Sequence, residues 1–515
     1  MSSDLTHPTP TLRRDAARTL VLLAGLAVAG CAVGPDYHRP DAPAVDRFTA
    51  QALPSATRSA QADGGDAQRF LQGRDVPARW WTTFGNVELT RRVNTALQHS
   101  PSIASALAAL RQAQENARAA GGAQFPSVNG SAGVTRQQQS GAAFGGALTF
   151  APLTVYNASV SVDYGIDLFG GTRRGIETQV ALADVQRAQT DATYLALAAN
   201  VVTASLQEAS LREQLRATEE ILDSQRKSLD IAEKQQQIGA KSLSDTLAVR
   251  TQVASTAATL PALRARLAAT RNQLATYLGT TPSQLELSPL TLDTIALPQD
   301  IPVSLPSALV EQRPDIRAAS AQLHAATAQV GVATAAMLPQ ITLSGSAGSQ
   351  ALRAADLFSA GTRAWSLGVG LTQPIFHGGE LLHKKRAAQA GLDKALADWQ
   401  QTVLVAFQNV ADALQALQFD AQGLAAQAAA ESAASQQLDL VRRQFQLGSI
   451  DYLNLLEAER SYQQAHIALI QARTARLADT AALYAALGGG WRADAGMASP
   501  ATNTSTPSAP STASN

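Results

Sequence analysis

The sequence holds a single cysteine, Cys31, in 515 residues. One thiol closes no internal disulfide and builds no cysteine-rich metal site. Charge is scarce too, at 16% of residues against about 25% in an ordinary soluble domain. Lys plus Arg number 41 and Asp plus Glu number 41, so the formal net charge is zero. Nucleic-acid binding therefore lacks its usual basic footprint. No run of 18 apolar residues follows Cys31. No transmembrane helix is expected after that point, and any crossing of a membrane must use strands. Catalytic signatures are missing as well. The seven histidines are scattered; His377 and His383 stand six apart with no cysteine or paired carboxylate beside them, and read as surface or packing residues. There is no Walker loop, and Gly368-Val369-Gly370 lacks the third glycine of a dinucleotide fingerprint. No enzyme, metal or cofactor is expected. The Trp80-Trp81 pair reads as packing for an amino-terminal segment rather than as a ligand box.

What is present begins with a targeting pattern. Arg13, Arg14 and Arg18 precede a short apolar stretch, Leu20 to Val28, which ends in Val28-Ala29-Gly30-Cys31. Small residues just before a cysteine resemble the lipobox of bacterial lipoproteins. That resemblance implies a signal peptide over 1–30 and a lipid, palmitate included, on Cys31. Ala32 in place of aspartate implies sorting to the outer membrane. Several acyl chains anchor firmly, because each buried methylene contributes roughly 0.8 kcal/mol.

The mature chain repeats itself at an offset of about 210 residues. Ser100-Pro101-Ser102-Ile103 answers Arg313-Pro314-Asp315-Ile316, and Gln124-Phe125-Pro126 answers Met337-Leu338-Pro339. Leu168-Phe169-Gly170-Gly171 answers Ile375-Phe376-His377-Gly378-Gly379. Ile238-Gly239 answers Leu447-Gly448, and Tyr277-Leu278-Gly279 answers Ala486-Leu487-Gly488. The domain boundaries follow: a lipid-anchored extension over 31–85, repeat one over 86–280, a proline-rich linker over 281–306, repeat two over 307–490, and a Ser/Thr/Ala/Pro tail over 491–515 expected to lack fixed structure.

Each repeat opens with a helical stretch, about Asn86 to Gly121 and Pro314 to Met337, and a strand follows the proline. A Gly-rich stretch, Ser140 to Ala151 or Gly348 to Gly361, leads to a second strand. There Val160, Val162, Tyr164, Ile166 and Leu168 alternate with Ser159, Ser161, Asp163, Gly165 and Asp167; Trp365, Leu367, Val369 and Leu371 alternate with Ser366, Gly368, Gly370 and Thr372. Period two puts one set on each face of a sheet, the pattern of a barrel with lipid outside and water inside. A long helix comes next, about Thr172 to Gln237 and Glu380 to Gln446, on the order of 100 Å each at 1.5 Å per residue. Leu392, Leu396, Trp399, Val403, Ala406, Val410, Ala413 and Leu417 form a heptad seam on the second of these. The hairpin-turn glycines Gly239 and Gly448 end the long helices, and a helix returns from each, Leu243 to Leu278 and Tyr452 to Leu487. Two strands per repeat give four per chain, and closing a transmembrane barrel takes at least about eight. Open edges are not tolerated in lipid, so either several copies finish the wall or the strands form a half-buried soluble sheet that never enters a membrane; oligomerisation is the expectation, with two copies and three equally open.

Gly34-Pro35-Asp36-Tyr37-His38-Arg39-Pro40, Trp80-Trp81 with Phe84 and Leu89, Leu305-Pro306-Ser307, Arg313-Pro314-Asp315-Ile316-Arg317, and Leu447-Gly448 followed by Tyr452-Leu453-Asn454-Leu455-Leu456-Glu457-Ala458 occur in that order. Together they resemble the outer-membrane efflux factors, in particular the lipoprotein subfamily serving RND-type multidrug pumps. The resemblance implies a mixed, mainly α fold in a homotrimer: a twelve-stranded β-barrel in the outer membrane of a Gram-negative bacterium, continued by a periplasmic α-helical barrel. It implies a passive export duct for drugs or other small molecules, partnered by a periplasmic adaptor and an inner-membrane pump. It also implies a closing ring at the periplasmic tip, to which Glu457, Asn454 and, from the first repeat, Asp245 correspond; Ala248 faces Glu457. Phe445 and Ile450 stand where relatives carry a latching tyrosine and arginine, so the polar latch is weakened. The competing readings are a type I secretion-like conduit for polypeptides and a structural periplasmic coiled-coil lipoprotein.

Overall fold

The protein is described by a computed structural model covering residues 32–138, 151–447 and 449–489. Cys31, Gly448, the signal segment, most of the first Gly-rich stretch and the tail lie outside the described residues. In chain order the elements are β1 (Arg69–Gln72), α1 (Val87–His99), α2 (Pro101–Gly121), β2 (Ser127–Gln137), β3 (Leu153–Ile166), α3 (Gly171–Gln237) and α4 (Leu243–Leu278). They continue with β4 (Asp300–Val303), α5 (Pro306–Gln312), α6 (Pro314–Ala335), β5 (Gln340–Ala351), β6 (Arg363–Thr372), α7 (Glu380–Gln446) and α8 (Tyr452–Ala486).

The chain divides into two compact units. The first comprises Met1–Asp41, Ala106–Gln189 and Arg317–Thr402 and contains a four-stranded antiparallel sheet in the order β2-β3-β5-β6. Its register pairs Val162 with Val128 and Gly345, and Gly345 with Leu367, so one face is apolar across all four strands. The second unit comprises Ala42–Ser105, Thr190–Ile316 and Val403–Asn515. It holds the greater part of α3 and α7, all of α4 and α8, and a two-stranded parallel sheet, β1 on β4.

The repeat is visible in the elements. The helices α3 and α7 are 67 residues each, and α4 and α8 are 36 and 35. Local chemistry sets their ends. The Asn86 side chain caps α1 by accepting from the Leu89 N–H at 2.8 Å, and the Ser242 hydroxyl caps α4 by accepting from the Asp245 N–H at 3.1 Å. Gly239 takes φ +75°, and the bonds Ala240 N–H to Gln235 O and Gly239 N–H to Gln236 O close α3 in a Schellman motif.

Several expectations change in detail, beginning with β3, which ends at Ile166 rather than at Leu168. The first helical stretch is two helices, broken at Ser100, whose φ/ψ is extended because Pro101 disfavours a helical residue before it. Gly348 to Ala351 belong to β5 rather than to a connecting loop, since β3 continues beside them and supplies ladder partners. The linker over 281–306 is not wholly extended: it forms two short 3₁₀ turns and β4. The heptad seam is buried at Trp399, Val403, Ala406, Val410, Ala413 and Leu417, but Leu396 is 39% exposed. Trp80, Trp81 and Phe84 are buried, Trp80 lying 5.6 Å from the Tyr484 ring, so the aromatic pair serves packing.

Candidate functional site

Two regions carry features that packing alone does not require. The first is the sheet. Trp365, Leu367, Val369 and Leu371 on β6 are 69–80% exposed, and Val128, Val134, Val160 and Val162 on β2 and β3 are also exposed. Apolar side chains aligned on one sheet face in water cost roughly 1.5–3 kcal/mol each relative to burial, so such a face marks a surface that something apolar covers. The opposite face is hydroxyl-rich: Ser131 and Ser159 share a hydrogen bond of 2.9 Å, and Ser346 and Ser366 one of 2.8 Å. The edges β2 and β6 have no further strand beside them among the described residues.

The second region is the pair of hairpin tips in the second unit. Tyr452, Leu455, Leu456 and Ala458 of α8 share a buried cluster with Ala232 of α3, Val249 of α4 and Leu438 of α7, and Phe445 packs against it. That cluster consumes one face of α8. Asn454 and Glu457, three residues apart, fall on the other face and are exposed. Asp245 is half-buried in the first turn of α4. Among the described residues no hydrogen bond or ion pair joins these three side chains within one chain. Gly239 sits at the turn as expected, while the Gly448 assignment falls outside the described residues.

Sequence reasoning did not find Lys241. Its Nζ lies 4.9 Å from the Phe445 ring centroid and 4.6 Å from that of Tyr452, the rings standing 5.6 Å apart at 71°. This Nζ is buried without a hydrogen-bond partner. Burial lowers the proton affinity of the amine, and the carboxylates of Asp245 and Asp451 oppose that. Between α7 and α8, burial pushes the Asp420 carboxyl up to about 7, aided by the hydrogen bond and charge of Asp479 and opposed by Arg476.

The motif after Cys31 becomes a clasp in the first unit. Val33 N–H donates to Phe169 O at 3.0 Å. Gly34, at φ +103°, lies so close to α6 that a Cβ there would stand 2.5 Å from Gly331 Cα. Arg174 donates to Asp36 at 2.5 Å and to Glu177 at 2.8 Å; Glu177 also meets His324 at 2.8 Å, and the Tyr37 ring stacks on His324 at 4.4 Å. Burial raises the Glu177 carboxyl, but the bonds from Arg174 and His324 prevail and hold it below its usual range.

A family described as outer membrane efflux protein matches residues 93–280 and 305–489, the two repeats in turn. The pyoverdine export outer membrane protein OpmQ of Pseudomonas putida is 32% identical over 424 residues, spanning 81% of this chain and 89% of that protein. The outer membrane protein OprJ of Pseudomonas aeruginosa is 30% identical over 483 residues, spanning 93% and 97%. Among solved structures, the outer-membrane channel OprN superposes with a TM-score of 0.79 at 30% identity, over 90% of this chain and all of that one.

Proposed function

The chain belongs to the outer membrane efflux protein family, and on that premise we propose that three copies close a twelve-stranded barrel and form the passive exit duct of a tripartite pump. The observation that carries this reading is the four-stranded sheet with an apolar face exposed to its surroundings, a hydroxyl-rich face behind it and two unpaired edges. Four strands cannot seal a wall in lipid, and exposed edges demand partners. Three copies supply twelve strands, each β6 pairing with the β2 of its neighbour, with serines and threonines lining a wet interior. A coiled-coil lipoprotein without a pore leaves this sheet unexplained.

In this reading Cys31 carries the lipid anchor, and the clasp from Val33 to Tyr37 holds the segment after it to the first unit. The hairpin tips form the periplasmic end. Asn454 and Glu457, exposed on the face of α8 that its own core leaves free, are available to line a closing ring, with Asp245 nearby in sequence to the opposing turn. A ring of carboxylates at a narrow pore attracts cations and repels anions. A periplasmic adaptor and an inner-membrane pump of the RND type supply the other two parts, and the pump supplies the energy. Cargo is a small molecule; the relatives' names span pyoverdine, antibiotics and toluene.

The test is direct. The purified mature protein should run as a trimer in detergent and conduct ions in a planar bilayer, and its deletion should sensitise cells to dyes, detergents or antibiotics without impairing protein secretion. A water-soluble monomer without conductance would refute the duct.

A further inference from the structure

We propose that Lys241 is the residue that latches the two hairpins of each protomer together at the tip, its ammonium seated in the corner that the Phe445 and Tyr452 rings form, in place of a polar latch. The inference rests on the tips being the closed end of the duct, as set out above. The geometry is that of a cation shared by two aromatic faces, 4.9 and 4.6 Å from the two centroids, both within the roughly 6 Å over which ring quadrupoles attract a cation. The two rings come from α7 and α8, and the lysine from the turn between α3 and α4. The contact therefore crosses from the first repeat to the second.

Among the described residues nothing else claims this ammonium. Its Nζ is buried and makes no hydrogen bond, which is costly for a charge unless another interaction compensates. The other charged groups of its surroundings are Asp245 on α4 and Asp451 at the start of α8, whose charges oppose the lowering that burial imposes. Tyr452 is 4% exposed and belongs to the core cluster of the tip, so one side of the clamp is immobile. Phe445 only packs on the rim of that cluster, in the last turn of α7. The phenylalanine that lacks a latching hydroxyl thus supplies a ring face instead. Ile450 contributes no charge, and the charge arrives from Lys241 on the other hairpin. Separating the hairpins requires withdrawing Lys241 from the two ring faces, so the clamp sets the resting population of closed tips. Lys241 is a positioning residue: it touches no cargo.

The experiment uses the full-length protein in planar bilayers with potassium chloride as the probe. Lys241→Met keeps the apolar bulk of the side chain and removes the charge. It should raise open probability on the order of tenfold, the scale of losing a desolvated cation–π clamp, with an unchanged melting temperature. Lys241→Arg keeps a cation for the rings and should restore the closed tip. Phe445→Leu should open the tip similarly, and adding Lys241→Met to it should do little more, because both remove the same interaction. If Lys241→Met abolishes the trimer, Phe445→Leu carries the comparison alone. Wild-type conductance in Lys241→Met or in Phe445→Leu overturns the latch, and so does a Lys241→Arg as leaky as Lys241→Met. A wild-type protein that never conducts refutes the duct itself. A Glu457→Ala variant that loses cation preference while Lys241→Met stays shut leaves the acidic ring standing and removes only the latch.

Discussion

Replacing Leu367 by arginine separates a lipid-facing barrel wall from a half-buried soluble sheet. Leu367 is the fifth of ten residues in β6, is 80% exposed in the single chain, and pairs with Gly345 on the apolar face. In a membrane that position lies near mid-depth, where an arginine on the lipid face of a barrel costs about 2–4 kcal/mol. Three copies raise the cost to roughly 6–12 kcal/mol for the assembled barrel, comparable with the whole stability of a typical domain. On a water-exposed sheet the same change would fall within about 0.5 kcal/mol. Ser366→Arg is the matched control: it is the preceding residue, points to the opposite face, and gives up only the 2.8 Å bond to Ser346. Urea-denatured protein refolded into phospholipid vesicles, scored as trimer on gels, reports both. Leu367→Arg should lose most of the trimer and Ser366→Arg little of it. An unaffected Leu367→Arg, or a more damaging Ser366→Arg, would mean that the faces have been assigned the wrong way round.

Three further outcomes follow from other sites. Glu457→Ala should raise conductance or weaken cation preference in a planar bilayer, and unchanged values remove Glu457 from the gate. Asp420 holds its proton up to about 7 in the folded chain against an ordinary value of 3.8, so between those values the folded state binds more protons and stability falls as pH rises. The protein should therefore melt lower at pH 8 than at pH 5, and Asp420→Asn should flatten that difference; an equal slope in the variant refutes the assignment. Glu208 is fully buried and accepts from Arg92, itself 1% exposed, at 2.7 Å, and from Arg212 at 2.8 Å. Glu208→Ala leaves Arg92 buried with its charge half-compensated and should cost about 3–5 kcal/mol, visible as a lowered denaturation midpoint.

Much of the architecture is legible in the residues because its signals are long. Alternation over Val160 to Ile166 and Trp365 to Leu371 announces both second strands, and the seam from Trp399 to Leu417 announces the buried stripe of α7. Gly239 ends α3 because the turn needs a positive φ that glycine adopts without strain. Short signals fail. The strands β1 and β4 are four residues each, too brief for a period to show, and Pro302 inside β4 argues against a strand until a two-stranded edge arrangement makes it tolerable. The clamp around Lys241 leaves no trace in sequence, since a lone lysine near a turn looks solvated and its rings lie some 200 positions downstream. The exposure of Asn454 and Glu457, by contrast, follows from Tyr452, Leu455 and Leu456 claiming the inner face of the same helix.

The clasp has a mechanical corollary. Ala32 sits so tightly against the Gly170 turn that a Cβ on that glycine would stand 2.8 Å from the Ala32 Cα, and Gly34 meets α6 backbone to backbone. Force applied at Ala32 therefore reaches the turn before α3 directly and α6 two residues on, without slack chain to pay out first. In the proposed reading, an acyl group on the preceding residue would act as a rivet on this clasp and not as a leash.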